Sequence, residues 1–253
     1  MSVETQTQEM TVREQIQEIV DWSHRLPSRL GFFAALYSRV AKAIEDERHT
    51  FEHPDWLEDV NRAFCARYLD AVRAFWDEQE ATRAWQASFD AALHRKLMIV
   101  QHLLLGANAH INVDLAIATA QTIEAEDLPA FESDFHRMNH VLGGLVDSTC
   151  RSLSRVWPFL ALVNRYFLRE EDAVIKFSMS RAREHAWEQA QRLVVLEGAE
   201  LEAAIADLEV RAEVLAHRII RPDQPLQAIV QIVRRGQLRS IPRVIDSIVA
   251  GAA

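Results

Sequence analysis

Residues 97–120, LMIVQHLLLGANAHINVDLAIATA, decide how the rest of this chain is read. The stretch holds no Lys, Arg or Glu, and Asp114 is its one acid. Before Gly106 the apolar residues Leu97, Met98, Ile99, Val100, Leu103, Leu104 and Leu105 occur all round a helical wheel. A helix apolar on every side lies at the centre of a fold and not on its surface. Yet the same segment carries His102, Asn108, His110, Asn112 and Asp114. Each such group left unpaired in a core costs about 1–3 kcal/mol, and a carboxylate more. Gly106 is therefore read as a break in a buried helix, presenting these polar groups to an interior cavity, with Asn108 placed to cap the helix that follows.

Outward from this centre, helix signals follow one another with little between them. Thr11 and Glu14 form a capping-box pattern that opens a first helix, stopped at Pro27. A second is expected over 28–48, a third from Pro54 to 78, a fourth over 81–104 and a fifth over 109–126. A sixth runs from Pro129 to 157, a seventh over 170–196 with Gly198 at its end, and a charged eighth over 200–218. Pro222, Pro225, Gly236 and Pro242 punctuate what remains. Seven Gly and seven Pro among 253 residues fall well below the roughly 7% and 5% of average usage. That is too few turn formers for a sandwich, barrel or propeller of many short strands. The expected fold is all-α: one bundle of about eight main helices over 1–220, with a short-helix tail over 221–253 packed on the bundle or on a neighbouring subunit.

The formal net charge of −9 argues against a nucleic-acid partner, since no basic surplus is available to displace phosphate counterions. Cys65 and Cys150 are far apart and lack metal-ligand spacing, which reads as two buried free thiols in a reducing compartment. The N-terminus, MSVETQTQEM, has no basic n-region or apolar h-region. No run of 18 residues is free of polar side chains, so no membrane span is expected. A cytoplasmic protein follows. The charge-rich eighth helix packs on the surface or contacts a second subunit, which keeps a homodimer in view.

His110 and Asp114 are four residues apart and share a helix face, while Asn108 and Asn112 share nearly the opposite one. An imidazole and a carboxylate one turn apart can reach one divalent cation, or form an acid/base pair in which the carboxylate fixes the imidazole tautomer. A buried hydrogen-bonded pair that ties helices together is the plainer alternative. On the sixth helix Phe131, Met138, Val141, Leu142, Leu145 and Val156 share one face, with Asp134 inside it and Asn139 at its edge. His136, His140 and Asp147 look like a metal set but fall on the opposite, solvent-facing side. On the seventh helix Asp172 and Arg183 flank the apolar stripe of Ile175, Met179, Ala182, Ala186, Ala190 and Leu193. They stand about 16 Å apart along the axis, so each needs a partner elsewhere: Asp134, Asp114 or a substrate anion for Arg183. Trp187, one turn on, is placed to wall a pocket, whereas His185 and Glu188 lie on the more exposed side.

The central motif also carries a resemblance. Leu105, Gly106, Asn108, Ala109, His110, Ile111, Asn112, Asp114 and Leu115 match the Leu-Gly-x-Asn-Ala-His-Ile-Asn-x-Asp-Leu stretch of a bacterial and fungal family of helical proteins, a domain of unknown function. Asp134, Phe135 and Asn139 match its Asp-Phe-x-x-x-Asn pattern. Asp172, Phe177, Ser178, Ala182, Arg183, Ala186 and Trp187 match a later run, so the resemblance covers roughly residues 25–200. It implies a helical fold and no transferable reaction, and it selects Asp134 over His136 and His140, and Arg183 with Trp187 over His185. The Gly-x-x-x-His-x-x-x-Asp spacing is also similar to helical zinc-dependent phospholipases C and nucleases, but the Pro and later His of their motif are missing after Asp114. Asn139, Gly143 and Asp147 faintly resemble the magnesium motif of terpene cyclases, without its hydroxyl member.

These readings converge on an enzyme for a small, largely apolar metabolite, of cyclase, isomerase or dehydratase type and without a cofactor. His110, Asp114 and Asp134 are the expected acid/base residues, and Asn108, Asn112, Asn139, Asp172, Arg183 and Trp187 the expected substrate contacts. One alternative is an enzyme in which His110, Asp114 and Asp134 hold a single divalent metal ion. The other is a non-catalytic ligand-binding or protein-interaction module whose polar centre fixes helix register.

Overall fold

In the computed structural model, residues 10–94, 97–156, 179–224 and 240–251 are described, and among them all regular structure is helical. The helices are α1 (Val12–Arg25), α2 (Leu30–Glu47), α3 (Pro54–Trp76), α4 (Arg83–Leu93) and α5 (Ile99–Ala109). A five-residue π turn (His110–Asp114) joins α5 to α6 (Leu115–Gln121). After these come α7 (Leu128–Val156), α8 (Met179–Leu193), α9 (Gly198–Ile220) and α10 (Ile241–Ala250). Local chemistry accounts for several ends. The Thr11 hydroxyl accepts from the Glu14 N–H at 3.3 Å while the Glu14 carboxylate accepts from the Thr11 N–H at 2.8 Å, closing the capping box of α1. Pro54 occupies the first turn of α3, where its missing N–H costs nothing.

Gly198, expected to end the seventh helix, opens α9 instead, and the helix expected to reach 126 stops at Gln121. Two further differences from the sequence reading are linked. The expected helix over 81–104 is two helices: α4 ends at Leu93, and α5 begins at Ile99, where the Met98 N–H is held by the Gln101 side chain at 2.9 Å. Gly106 does not break the helix. The chain runs as one helix from Ile99 to Gln121, with the extra residue of the π turn absorbed inside it. Continuous apolar sequence on both sides of Gly106 rewards burial of the whole length, and an interior break would leave buried N–H and C=O groups without partners. This is the one described helix long and apolar enough to cross a membrane by length and composition, and its most apolar stretch is 83% buried within the protein. It packs against α2, α4 and α9 through α5, against α3, α8 and α9 through the π turn, and against α3 and α8 through α6. The start expected for the seventh helix, residues 170–178, lies outside the described residues.

What Gly106 supplies is proximity. A Cβ there would fall 2.4 Å from Cγ and Cδ2 of Phe33 and 2.8 Å from its Cβ, so α2 lies against the bare backbone of α5. On the other side, α9 is held by polar groups of the core. The Gln101 amide donates to the Ile219 carbonyl at 2.7 Å and the Asn108 amide to the Ala212 carbonyl at 2.8 Å. Glu209 returns the favour by accepting the Ala84 N–H at 3.0 Å at the start of α4. The C-terminal helix α10 lies on its own bundle, with Val244, Ile245 and Ile248 buried and the Ser247 hydroxyl bonded to the Ser152 carbonyl of α7 at 3.2 Å.

Gly106→Ala tests the close approach. Alanine is the better helix former by about 1 kcal/mol, so on an open helix it would stabilise. Here it must displace the inner atoms of Phe33, and urea unfolding is expected to show a net loss of about 1–3 kcal/mol.

Candidate functional site

The π turn places His110 and Asp114 at the middle of the central helix, and such single-turn insertions occur frequently at functional sites. The backbone N–H of Leu115 bonds the His110 carbonyl, closing the wider ring. Asp114 is 1% exposed. Its Oδ1 accepts from Nε of Arg67 on α3 at 2.9 Å, and its Oδ2 accepts from the indole Nε1 of Trp85 on α4 at 2.7 Å. The same Oδ2 lies 3.3 Å from Nδ1 of His110. Arginine and tryptophan N–H groups only donate, so Asp114 is the acceptor of this cluster and the His110 proton sits on Nδ1. Nε2 of His110 is thereby left with a lone pair, and it is buried without a hydrogen-bond partner.

Aromatic rings hold the imidazole. Phe64 stacks on it with centroids 3.4 Å apart and planes 11° from parallel, and Tyr37 and Phe33 meet it edge-on at 4.4 and 5.5 Å. Burial among these rings pushes the His110 pKa below its ordinary value; the bond to Asp114 and its charge pull the other way, and Arg67 adds to the lowering. The ring is neutral near pH 7.

His110 borders an apolar cavity of about 80 Å³. Its walls come from α2 (Phe33, Leu36, Tyr37, Val40), α3 (Trp56, Val60, Asn61, Phe64), the central helix (Ala107, His110, Ile111) and α7 (Phe135, Met138, Leu142). Besides His110 Nε2, three lining residues carry buried polar atoms without partners: the Tyr37 hydroxyl, the indole nitrogen of Trp56 and Oδ1 of Asn61. Arg183 of α8 completes the lining: its guanidinium lies 4.6 Å over the Phe135 ring and donates to the Phe135 carbonyl at 3.0 Å. Burial lowers its pKa to about 9, so it remains cationic at neutral pH.

The structure therefore brings together His110, Asp114 and Arg183 of the residues picked from the sequence. Trp187 stands one layer behind, its ring 4.7 Å from Phe135 and its indole N–H buried and unpartnered. Asp134 does not join them. Its carboxylate accepts the Glu52 N–H at 2.9 Å, the His53 N–H at 2.6 Å and approaches His53 Nδ1 at 3.1 Å, so it caps the start of α3 from α7. His53, the residue preceding α3, supplies no side-chain cap of its own, which explains an aspartate on an apolar face. Asn108 and Asn112 are likewise turned away from the cavity: Asn112 donates to Asn108 Oδ1 at 2.9 Å and Asn108 donates to α9. The set His110, Asp114 and Asp134 is thus divided, and among the described residues no three His, Cys, Asp or Glu side chains are grouped to hold a metal ion. Asp172 and the side chain of Asn139 lie outside the described residues, as does that of Cys150, while Cys65 is a buried free thiol. His136 and His185 pair with exposed Glu132 and Glu188 on the outside.

Sequence reasoning missed Trp56, Asn61, Arg67 and Trp85. A signal existed for the α3 residues: Asn61 and Arg67 lie three residues before and after Phe64, inside the stripe of Trp56, Val60, Phe64 and Tyr68. Polar groups inside an apolar stripe deserve the scrutiny given to Asp134. Trp85 gave no such signal, because an indole is ordinary core material and its N–H is silent until its partner is known.

The family model described as a family of unknown function (DUF5995) matches residues 10–222 of the chain. No curated protein and no solved structure matches it.

Trp85→Phe keeps a ring in place and removes one donor to Asp114. A loss of about 1–3 kcal/mol is expected on urea unfolding. Acidification probes the histidines. Burial, with Arg29 nearby, lowers the pKa of His102 from 6.5 to about 4, and that of His110 is lowered too. The unfolded chain takes up these protons first, so stability falls as pH drops below 6.5 and the His102 share is fully lost near pH 4. His102→Leu is expected to remove up to about 3 kcal/mol of this pH dependence, read from urea midpoints across that window.

Proposed function

We propose, for a chain that belongs to the DUF5995 family of unknown function, that the cavity beside His110 is the site of an enzyme that moves a proton on a small, largely apolar carbonyl compound. The observation that carries this reading is the His110 imidazole, which lines the cavity: Nδ1 is committed to Asp114, and Nε2 is buried, keeps its lone pair and is unpartnered. An imidazole so fixed is a general base, and the Asp114 carboxylate stabilises the imidazolium formed when Nε2 takes a proton. A proton α to a carbonyl is the matching acid. As it leaves, negative charge moves to the carbonyl oxygen, for which the Trp56 N–H and the Arg183 guanidinium on the same walls are donors. Return of the proton to a different carbon gives isomerisation. Its delivery to a departing hydroxyl gives dehydration. The apolar walls keep water from the enolate.

A ligand-binding module without chemistry uses the same cavity, and one experiment separates the two. With acetone, small enough for a cavity of about 80 Å³, as the probe in D2O, the wild type is expected to exchange the α-hydrogens faster than buffer, followed by proton NMR, and His110→Gln to lose most of that acceleration while remaining folded. Probe binding, seen as shifted aromatic resonances, with no exchange above buffer supports the binding module. Neither binding nor exchange removes this substrate class.

A further inference from the structure

The outer face of α9 takes no part in the cavity, and its pattern points outward. Leu208, Ala212, Ala216 and Ile219 are buried against the bundle. The opposite side carries an apolar stripe of Ala203, Ala206, Val210 and Val214, all exposed, with the two valines 44% and 50% open to solvent. At 100° per residue these four lie within about 40° of one line. Isolated exposed apolar residues are normal, but a stripe along a 23-residue helix is a surface.

The charges beside the stripe identify what fits it. On one flank stand Glu200 and Asp207, followed by Arg211 and Arg218. Acids occupy the first half of the helix and arginines the second, and both pairs are centred on residue 209. We propose that this face is the contact between two copies of the chain, with the α9 helices antiparallel across a two-fold axis near residue 209. A two-fold perpendicular to the plane of the two helices brings like flank to like flank in opposite direction. Glu200 then meets Arg218 of the partner subunit, and Asp207 meets Arg211 of the partner subunit. Val214 packs against Ala203 of the partner subunit, large against small. Parallel pairing, with the two-fold along the helices, would set this flank against the other flank of the partner helix and leave both pairs unformed. Within one chain Asp207 and Arg211 already form an exposed ion pair, which the dimer extends into a four-residue network. On the other flank stand Glu202 and Glu213, and Arg83 engages Glu213 at 3.2 Å. One helix pair lies at the low end of the area that supports stable association, below roughly 1,200 Å². The dimer therefore dissociates on dilution and weakens in salt.

Sedimentation equilibrium of the full chain tests this, with circular dichroism to confirm that each variant stays helical. The wild type is expected to show a concentration-dependent monomer–dimer equilibrium, and Val210→Glu with Val214→Glu to be monomeric throughout. Arg211→Glu with Arg218→Glu makes the flank wholly acidic, and Glu200→Arg with Asp207→Arg makes it wholly basic. Each double variant alone is expected to be monomeric, and an equimolar mixture to restore the dimer. A monomeric wild type at every concentration overturns the proposal. A dimer indifferent to the two glutamates places the contact on another face, and a mixture that stays monomeric overturns the antiparallel arrangement.

Discussion

An aspartate held at 1% exposure inside an apolar bundle is the constraint on which the rest depends. Removing a carboxylate from water costs several kcal/mol even after relaxation. Asp114 offsets this with donors from three separate segments: Arg67 on α3, Trp85 on α4 and His110 on its own π turn. Each donor has to arrive at its place for the others to be worth having. The carboxylate therefore fixes how α3 and α4 sit on the central helix, and it sets the tautomer of the His110 imidazole that borders the cavity.

The central helix reaches this arrangement by being irregular where it matters. The π turn adds a residue at His110–Asp114 without opening the helix, so backbone hydrogen bonding continues while two side chains are re-aimed. Gly106, one turn earlier, brings Phe33 against the helix backbone, and Phe33 in turn packs edge-on against His110, Tyr68 and Trp85. A void between α2, α3 and α7 remains beside these rings. Among the described residues its walls are apolar except where His110, Tyr37, Trp56, Asn61 and Arg183 enter, the composition of a ligand pocket with a few convergent polar groups.

The fold class was legible because helix signals are local. Scarce Gly and Pro, a capping box at Thr11, Pro54 at a first turn and an all-round apolar segment need no knowledge of what lies across the core. His110 and Asp114 were legible for the same reason, since a four-residue spacing puts them together on any helix. Asp134 and Asn108 were equally conspicuous, being polar groups on apolar faces, and that signal was sound as far as it went: both are buried and both are fully engaged. What it could not say is with whom. Asp134 meets backbone N–H groups some eighty residues earlier, and Asn108 meets a carbonyl of α9, so both serve as fasteners between helices.

By itself, then, the sequence determined that the chain is a bundle of long helices, that residues 97–120 form its core, and that an imidazole and a carboxylate lie together within it. Periodicity and capping are properties of neighbours along the chain, and they settle those points. The tertiary structure alone decided that Gly106 continues the helix and admits Phe33, that Arg67 and Trp85 complete the Asp114 cluster, and that Asp134 stands apart. These are consequences of which helices pack together. A buried donor or acceptor is committed by its nearest unpaired partner in space, and no spacing along the chain records which partner that is.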